Sequence, residues 1–290
     1  MHMVDDSPSN PHAAQELTTI DKELEQWSQR KRRKYARFML SALSGIPWVG
    51  GVLSATASLQ AETDQSKVNE LQRQWLREHQ RKLALLGRDL TEIVQRVDEI
   101  GPAAGDRLED PAFLSLVEQA FKTWDRAATE EKRDLLKKTL SNAAGTTLCS
   151  DDIVRLFIEW IDRYHEAHFA VVREVYRDPG ITRAEIWQQI HGAPVREDSA
   201  EADLFKLLMR DLSTGGVARQ HRETTATGEF IRKRAGSTRG RSSSVMKSAF
   251  DAGEPYELTE LGKQFVHYAL TDLVPRITGP GGSASDETAV

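Results

Sequence analysis

The sequence predicts a mainly α-helical protein, in which an N-terminal helical bundle with one long helix precedes a smaller C-terminal domain with a β-hairpin. Three observations predict this class. First, 290 residues exceed a typical domain of roughly 150, so we expect two domains. Second, apolar residues recur at steps of three and four through residues 13–178. Third, beyond Asp178-Pro179-Gly180 short helical patterns alternate with strand-like runs.

The predicted domains are a helical domain at residues 13–178 and a second domain at residues 179–275. Residues 1–12 and 276–290 lack any periodic pattern and are rich in small and polar residues. Such stretches bury too little apolar surface to fold, so we expect both ends to be disordered.

Composition narrows the class of protein. Apolar residues make up 39% of the chain and charged residues 29%, which is typical of a globular protein. The only cysteine, Cys149, cannot form an internal disulfide, so we expect a reducing cytoplasm. We expect no secretory signal, because the first basic run follows about thirty polar residues. A net charge of −5 gives no general attraction to polyanions, so nucleic-acid contact needs a local basic patch.

The first predicted helix covers residues 13–35, with one apolar stripe at Leu17, Ile20, Leu24 and Trp27. A cluster of basic residues, which we call the basic collar, marks the end of this helix. The collar consists of Arg30, Lys31, Arg32, Arg33, Lys34 and Arg37.

Residues 38–61 carry no charge at all, and we call them the uncharged segment. The segment is long enough to cross a bilayer core, which takes about 20 apolar residues, but Gly45, Pro47 and two further glycines interrupt it. Two alternatives stay open. One is a membrane-active hairpin whose basic collar contacts anionic headgroups at the inner membrane. The other is a pair of short buried helices joined by a tight turn. The apolar side chains of the segment are Phe38, Leu40, Leu43, Ile46, Pro47, Trp48, Val49, Val52 and Leu53.

A long helix is predicted over residues 62–100, because apolar residues recur there in a heptad pattern for more than four repeats. The pattern is typical of a coiled coil or of a long helix in a bundle, so self-association is one expected outcome. His79 lies in this seam, where we interpret it as a tolerated polar residue rather than a ligand. The seam consists of Val68, Leu71, Trp75, His79, Leu83, Leu86, Leu90, Ile93, Val97 and Ile100.

Three further helices complete the predicted helical domain. Asp110-Pro111 is an N-cap followed by a proline, which predicts a helix at residues 112–127. Thr129 is expected to cap a helix at residues 129–143. Ser150 is expected to cap one longer helix that reaches about Tyr176.

The C-terminal domain is predicted to contain three helices and two strands. The helices span residues 183–191, 200–212 and 260–273, capped by Thr182, Ser199 and Thr259 respectively; the strands span 217–222 and 256–258. Four leucines of the second helix are expected to face the core: Leu204, Leu207, Leu208 and Leu212. The order helix, helix, strand, hairpin, strand is that of a winged helix-turn-helix. At residues 204–219 (LxxLLxxxLxxGxVxR) and 256–265 (YELTELGKQF), the chain resembles the winged-helix domains of bacterial regulators.

The charge pattern of this domain leaves the type of partner open. The start of its second helix holds four acidic residues, Glu197, Asp198, Glu201 and Asp203, against Arg196. Because these acids repel phosphates, we do not expect ordinary reading of the DNA major groove. Residues 219–250 form a basic wing with a net charge of +6, which would suit nucleic acid or an acidic protein surface; a solvated hairpin without a ligand is the third alternative. Its bases are Arg219, Arg222, Arg232, Lys233, Arg234, Arg239, Arg241 and Lys247.

We expect no metal site, no cofactor and no enzymatic activity. Asp162, His165, Glu166 and His168 have the spacing of metal ligands on one helix, but a second helix with a matching pattern is missing. Cys149 precedes a helix, yet the sequence identifies no histidine partner for it. The phosphate-loop, dinucleotide, zinc-protease and serine-hydrolase motifs are absent from the sequence.

A second resemblance concerns most of the chain in order. The uncharged segment, the sequence LLKKTLSNAAG at residues 135–145 and ELTELGKQFV at residues 257–266 resemble the abortive-infection alpha family of phage-defence proteins. This resemblance implies a bacterial protein that limits phage growth by non-enzymatic action or by membrane damage. The leading hypothesis is therefore a defence or toxin-like effector that binds a partner, forms oligomers or acts on a membrane. The alternative is a DNA-binding regulator that dimerises through the long helix.

Overall fold

A computed structural model describes residues 35–51, 68–193, 195–221, 227, 248–250 and 253–271. Within these residues the chain is mainly helical, with one two-stranded antiparallel sheet. The predicted fold class is confirmed at this level. The predictions for residues 1–34 and 272–290 lie outside the described residues.

Six helices account for most of the described N-terminal residues: α1 (Ala36–Ser44), α2 (Val68–Ile100), α3 (Pro102–Arg107), α4 (Pro111–Arg126), α5 (Glu130–Gly145) and α6 (Asp151–Arg163). The predicted caps of α4 and α5 are confirmed. The Asp110 side chain accepts a hydrogen bond from the Ala112 N–H, and Thr129 accepts one from the Lys132 N–H. Each cap satisfies a backbone donor that the helix leaves without a partner.

The following part of the chain holds α7 (Glu166–Arg177), α8 (Arg183–His191), α9 (Ala200–Thr214), β1 (Ala218–Gln220), β2 (Tyr256–Leu258) and α10 (Glu260–Ala269). The predicted caps Thr182, Ser199 and Thr259 are confirmed. Arg219 of β1 lies opposite Glu257 of β2. A short extension precedes α8, where the Tyr256 N–H donates to the Ile181 carbonyl at 2.8 Å.

The chain divides into two compact units between Ile158 and Glu159, and the second unit includes the described residues up to Thr271. The predicted boundary at Asp178 is therefore too late. The aromatic contacts give the reason: Trp160 and Phe169 lie 5.4 and 6.2 Å, centroid to centroid, from the Phe265 ring of α10. The residues before the Asp178-Pro179-Gly180 turn already belong to the core of the second unit.

The predicted long helix after Ser150 is interrupted, because α6 ends at Arg163 and α7 begins at Glu166. At the break, the His165 N–H donates to Nδ1 of His168 at 3.1 Å, which supplies an acceptor at the new helix start. The Tyr164 ring stacks on His168 with centroids 4.9 Å apart. Neither glycine nor proline marks this break in the sequence, so helical periodicity runs through it.

The core of the first unit forms around α5, which packs against α2, α3 and α4. The second half of the heptad seam, Leu86, Leu90, Ile93 and Val97, is buried. Since α2 packs on α5, this half of the seam is covered within the same chain. The side chains of the seam at Val68, Leu71 and Trp75 lie outside the described residues.

A charged side chain, Lys137, is buried in this core. Its Nζ lies 2.6 Å from Glu92 Oε2 and 3.4 Å from Asp89 Oδ1, and Asp89 also accepts a hydrogen bond from Trp124 Nε1 at 2.7 Å. Burial by itself lowers the pKa of Lys137, but the hydrogen bond to Glu92 and the nearby carboxylates raise this pKa overall. The lysine therefore stays charged and connects α5 to α2.

Candidate functional site

The uncharged segment is described up to Gly51, and its first part packs in the helical unit. Phe38, Ile46 and Val49 are buried, whereas Leu40 is 67% exposed. Leu43 and Trp48 are half-buried, Pro47 is exposed, and Val52 and Leu53 lie outside the described residues. No helix in the described part of the chain is both long and apolar enough to span a membrane.

Trp48 fixes this segment to two helices. Its Nε1 donates to Asp125 Oδ1 of α4 at 2.7 Å, and Lys82 of α2 contacts the same carboxylate at 2.5 Å. The Trp48 ring also meets the His79 ring edge-on, at 4.9 Å between centroids. These contacts favour the buried alternative for residues 38–51, and the membrane-active hairpin stays a prediction. Of the basic collar only Arg37 is described, where it is exposed and lies 3.7 Å from Glu109.

Of the residues with metal-ligand spacing, only His168 is used in packing, whereas Asp162, His165 and Glu166 are exposed. His168 is buried, its Nδ1 accepts from His165, and its Nε2 lies 3.8 Å from Asp211 Oδ2. Burial lowers the pKa of His168, although the Asp211 carboxylate opposes this effect. Among the described residues no group of three or more metal-ligating side chains is found. Cys149 is buried.

The exposed face of α9 differs from the sequence prediction. Leu208 and Leu212 are buried as predicted, but Leu204 is 52% and Leu207 39% exposed. Phe205 and Met209 take the core positions instead. Residues three apart are neighbours on a helix, so Leu204 and Leu207 form one apolar patch, which we call the leucine pair.

The start of α9 is negatively charged, and its acids are held in place. The Glu197 carboxylate accepts hydrogen bonds from the Ser248 hydroxyl and from the Ala249 N–H, and these lower the pKa of Glu197. Asp198 binds Arg196 through two hydrogen bonds of 2.8 and 2.7 Å, which lower the pKa of Asp198. The predicted acidic character is thus retained at neutral pH.

A basic cavity of about 510 Å³ lies at the C-terminal end of α9. We call it the arginine cavity, and its main lining residues are Arg183, Arg210, Ser213, Thr214, Arg219 and Tyr256. Arg183 donates two hydrogen bonds, of 2.9 and 2.6 Å, to the Tyr256 hydroxyl. Arg219 Nε lies 2.7 Å from Glu257 Oε1. Arg210 contacts the neighbouring Asp211 only at 3.8 Å, and its side chain is 73% exposed.

Only one basic residue of the predicted wing, Arg219, is described, and it lies at this cavity. The others lie outside the described residues: Arg222, Arg232, Lys233, Arg234, Arg239, Arg241 and Lys247. Sequence reasoning missed Arg183 and Arg210. The spacing of Arg210, three residues after Leu207, could have placed it on the same ridge of α9.

The exposed residues Glu201, Leu204, Leu207 and Arg210 follow one another at steps of three along α9 and form one ridge that winds from an acidic start, past the leucine pair, to the arginine cavity. Such a ridge can bury apolar side chains of a partner and bind its anionic groups. Comparison with protein-family models, curated proteins and solved structures finds no match for this chain.

Proposed function

We propose that the protein is a bacterial defence effector that acts by binding, and that its second unit recognises a protein partner through the exposed ridge of α9. The defence role is supported by the resemblance of the sequence to the abortive-infection alpha family. The second unit is, in this proposal, a winged helix. Its order α7, α8, α9, β1, β2 supports that type, as does the bridge between Thr182 and Pro255, which corresponds to a third short strand.

The leucine pair is the observation that carries the proposal. Fully burying one leucine stabilises a complex by about 1.5 to 3 kcal/mol relative to leaving it exposed, so two adjacent leucines are a sizeable contribution. The acidic residues Glu201 and Asp203 flank the pair and are exposed. A nucleic-acid backbone gains nothing from the leucines and is repelled by the acids, whereas a protein surface can complement both.

A DNA-binding regulator that dimerises through α2 is the second candidate. The arginine cavity and the basic wing favour it, because guanidinium groups bind phosphates. Two observations oppose it. The acidic start of α9 repels phosphates, and α5 already packs on half of the α2 seam that would form the dimer. Its test is a gel shift with duplex DNA at low salt, which this candidate expects to weaken when Arg232, Lys233 and Arg234 are neutralised.

The experiment that tests the proposal is a phage challenge of bacteria that express the full chain. Changing Leu204→Asp and Leu207→Asp together is expected to abolish protection, because charged side chains oppose burial at an interface. The matched control is Leu148→Asp, since Leu148 in the first unit is as exposed as Leu207. Equal protection by wild type and the double variant, or no protection by either, would contradict the proposal.

A further inference from the structure

We propose that the arginine cavity binds carboxylates of the partner, and that the occupant of the ridge is an acidic amphipathic segment of another protein. This inference rests on the proposed function, and it adds the chemistry of the partner. It is carried by the arginine cavity itself and by the continuity of that cavity with the leucine pair on α9.

Three guanidinium groups line the cavity, and since Arg219 is already paired with Glu257, the suitability of the cavity for carboxylates rests on Arg183 and Arg210. Each guanidinium has five N–H donors in a planar fork that matches a carboxylate. Arg183 is oriented by its two hydrogen bonds to Tyr256, so it is held in place before a ligand arrives. Arg210 is exposed and contacts Asp211 only at 3.8 Å, which is beyond hydrogen-bonding distance. Arg210 can therefore turn to a ligand at little cost.

The spacing along α9 defines the ligand further. Arg210 is the sixth residue after Leu204, which places it about 9 Å further along the helix axis. A partner that contacts both must carry apolar and acidic groups about 9 Å apart on one face, and a helix presents groups on one face when they are separated by about two turns, or seven residues and about 10.5 Å. At the other end of the ridge Lys206 offsets Asp203 at 3.6 Å, so acidic residues of the partner would be repelled there chiefly by Glu201, and the ridge also favours one direction of binding.

The same charges distinguish a protein from a nucleic acid. A phosphate backbone lying along the ridge would present anions at every step, including beside Glu201. A peptide can place its acids only at the arginine cavity and its apolar residues at the leucine pair. The occupant is therefore an acidic segment of a protein rather than a nucleic acid.

The test uses the full-length protein and two fluorescein-labelled helical peptides. One peptide carries two leucines three residues apart and two glutamates about two turns, or seven residues, further on, so that both lie on one face of the helix, and its matched partner has glutamine in place of glutamate. Binding is measured by fluorescence anisotropy. We expect the glutamate peptide to bind roughly tenfold more tightly than the glutamine peptide, as loss of a charge-assisted hydrogen bond implies.

Variants then locate the effect. Arg210→Gln is expected to remove most of the preference for glutamate, and Arg210→Lys to keep part of it because the charge remains. Arg177→Gln, at an exposed arginine of α7 away from the cavity, is the matched control and is expected to bind as wild type does.

Four results would overturn the inference. Equal binding of both peptides would exclude a role for the arginine cavity. If Leu204→Asp abolishes that equal binding, the ridge still binds a partner and only the inference about the cavity fails. Equal effects of Arg210→Gln and Arg177→Gln would also exclude the cavity. Binding of neither peptide would exclude the acidic segment as occupant. Displacement of the glutamate peptide by duplex DNA, in a manner that depends on Arg210, would assign the cavity to nucleic acid.

Discussion

Gly262 lies where the first turn of α10 meets the backbone of Val217. A Cβ atom at Gly262 would lie 2.1 Å from the Val217 carbonyl oxygen, a distance that backbone atoms cannot accept. We therefore predict that Gly262→Ala destabilises the second unit by roughly 1 to 3 kcal/mol, as overpacking does. Hydrogen exchange of the amides in β1 and α10 measures this loss locally.

The matched change is Gly87→Ala in α2, where a Cβ would have nothing within 4 Å. Alanine in a helix is favoured over glycine by roughly 0.5 to 1 kcal/mol, so this variant is expected to stabilise the first unit. If Gly262→Ala left the second unit as stable as wild type or stabilised it, the close approach of α10 to Val217 would be disproved.

His168 makes the second unit sensitive to pH. Burial holds the pKa of His168 below its ordinary value of 6.5, and burial also lowers the pKa of His267. The unfolded chain therefore binds more protons than the folded one below about pH 6.5. The free energy of unfolding of the second unit is therefore greatest above that pH and is predicted to fall as the pH drops. Protonation of His168 at Nδ1 would also remove the acceptor for the hydrogen bond from the His165 N–H.

His168→Gln tests this account, since glutamine can accept from His165 but does not titrate. Amide exchange in the second unit at about pH 5.5 and about pH 7.5 should differ less in the variant than in wild type. The remaining difference is assigned to His267. The role of His168 would be disproved if the variant kept the full pH dependence.

At the scale of elements, the turn after α1 is fixed to α2 and α4. Trp48→Phe removes the hydrogen bond to Asp125, and we predict a loss of about 1 to 3 kcal/mol in the first unit, because the half-buried carboxylate loses a donor. Leu40→Ala is the control, and since Leu40 is mostly exposed, a change within about 0.5 kcal/mol is expected. Hydrogen exchange of the α1 and α4 amides compares the two. A similar effect of both variants would show that Trp48 does not fix the turn.

The turn after α1 also provides a test of the membrane hypothesis. The buried alternative predicts that the folded protein releases no dye from anionic liposomes, because Phe38, Ile46 and Val49 are covered. Leakage by wild type, with a larger effect in Trp48→Phe, would favour a segment that leaves the helical unit and acts on the membrane.

How well each element could be predicted depended on local signals. Asp110, Thr129, Thr182, Ser199 and Thr259 were correctly identified as caps, since a cap is a local hydrogen bond with a local sequence pattern. At the break between α6 and α7 a histidine side chain accepts the hydrogen bond at the helix start, and no common capping pattern in the sequence predicts this.

The candidate site was predicted less well than the helices. Periodicity alone placed four leucines of α9 in the core, although Phe205 and Met209 already fill that side. Which apolar stripe of a helix is buried depends on the neighbours it meets, and these are known only from the fold. The arginine cavity combines residues of α8, α9, β1 and β2, so it has no contiguous sequence signal.

At the scale of the whole molecule, the net charge of −5 hides opposite local charges. Within α9 and its surroundings, acids cluster at Glu197 and Asp198, and arginines cluster around Arg210. The leucine pair lies on the ridge between them. The proposed function depends on this local arrangement rather than on the overall charge.

Site-specific crosslinking tests this central claim most directly. A photo-reactive p-benzoylphenylalanine in place of Leu207, in living bacteria exposed to phage, should give one protein adduct that weakens when Arg210→Gln is added. The same group in place of Leu148, which has the same exposure as Leu207, should not give this adduct. An adduct to nucleic acid, or no adduct beyond that at position 148, would contradict the claim that the ridge of α9 binds a protein partner.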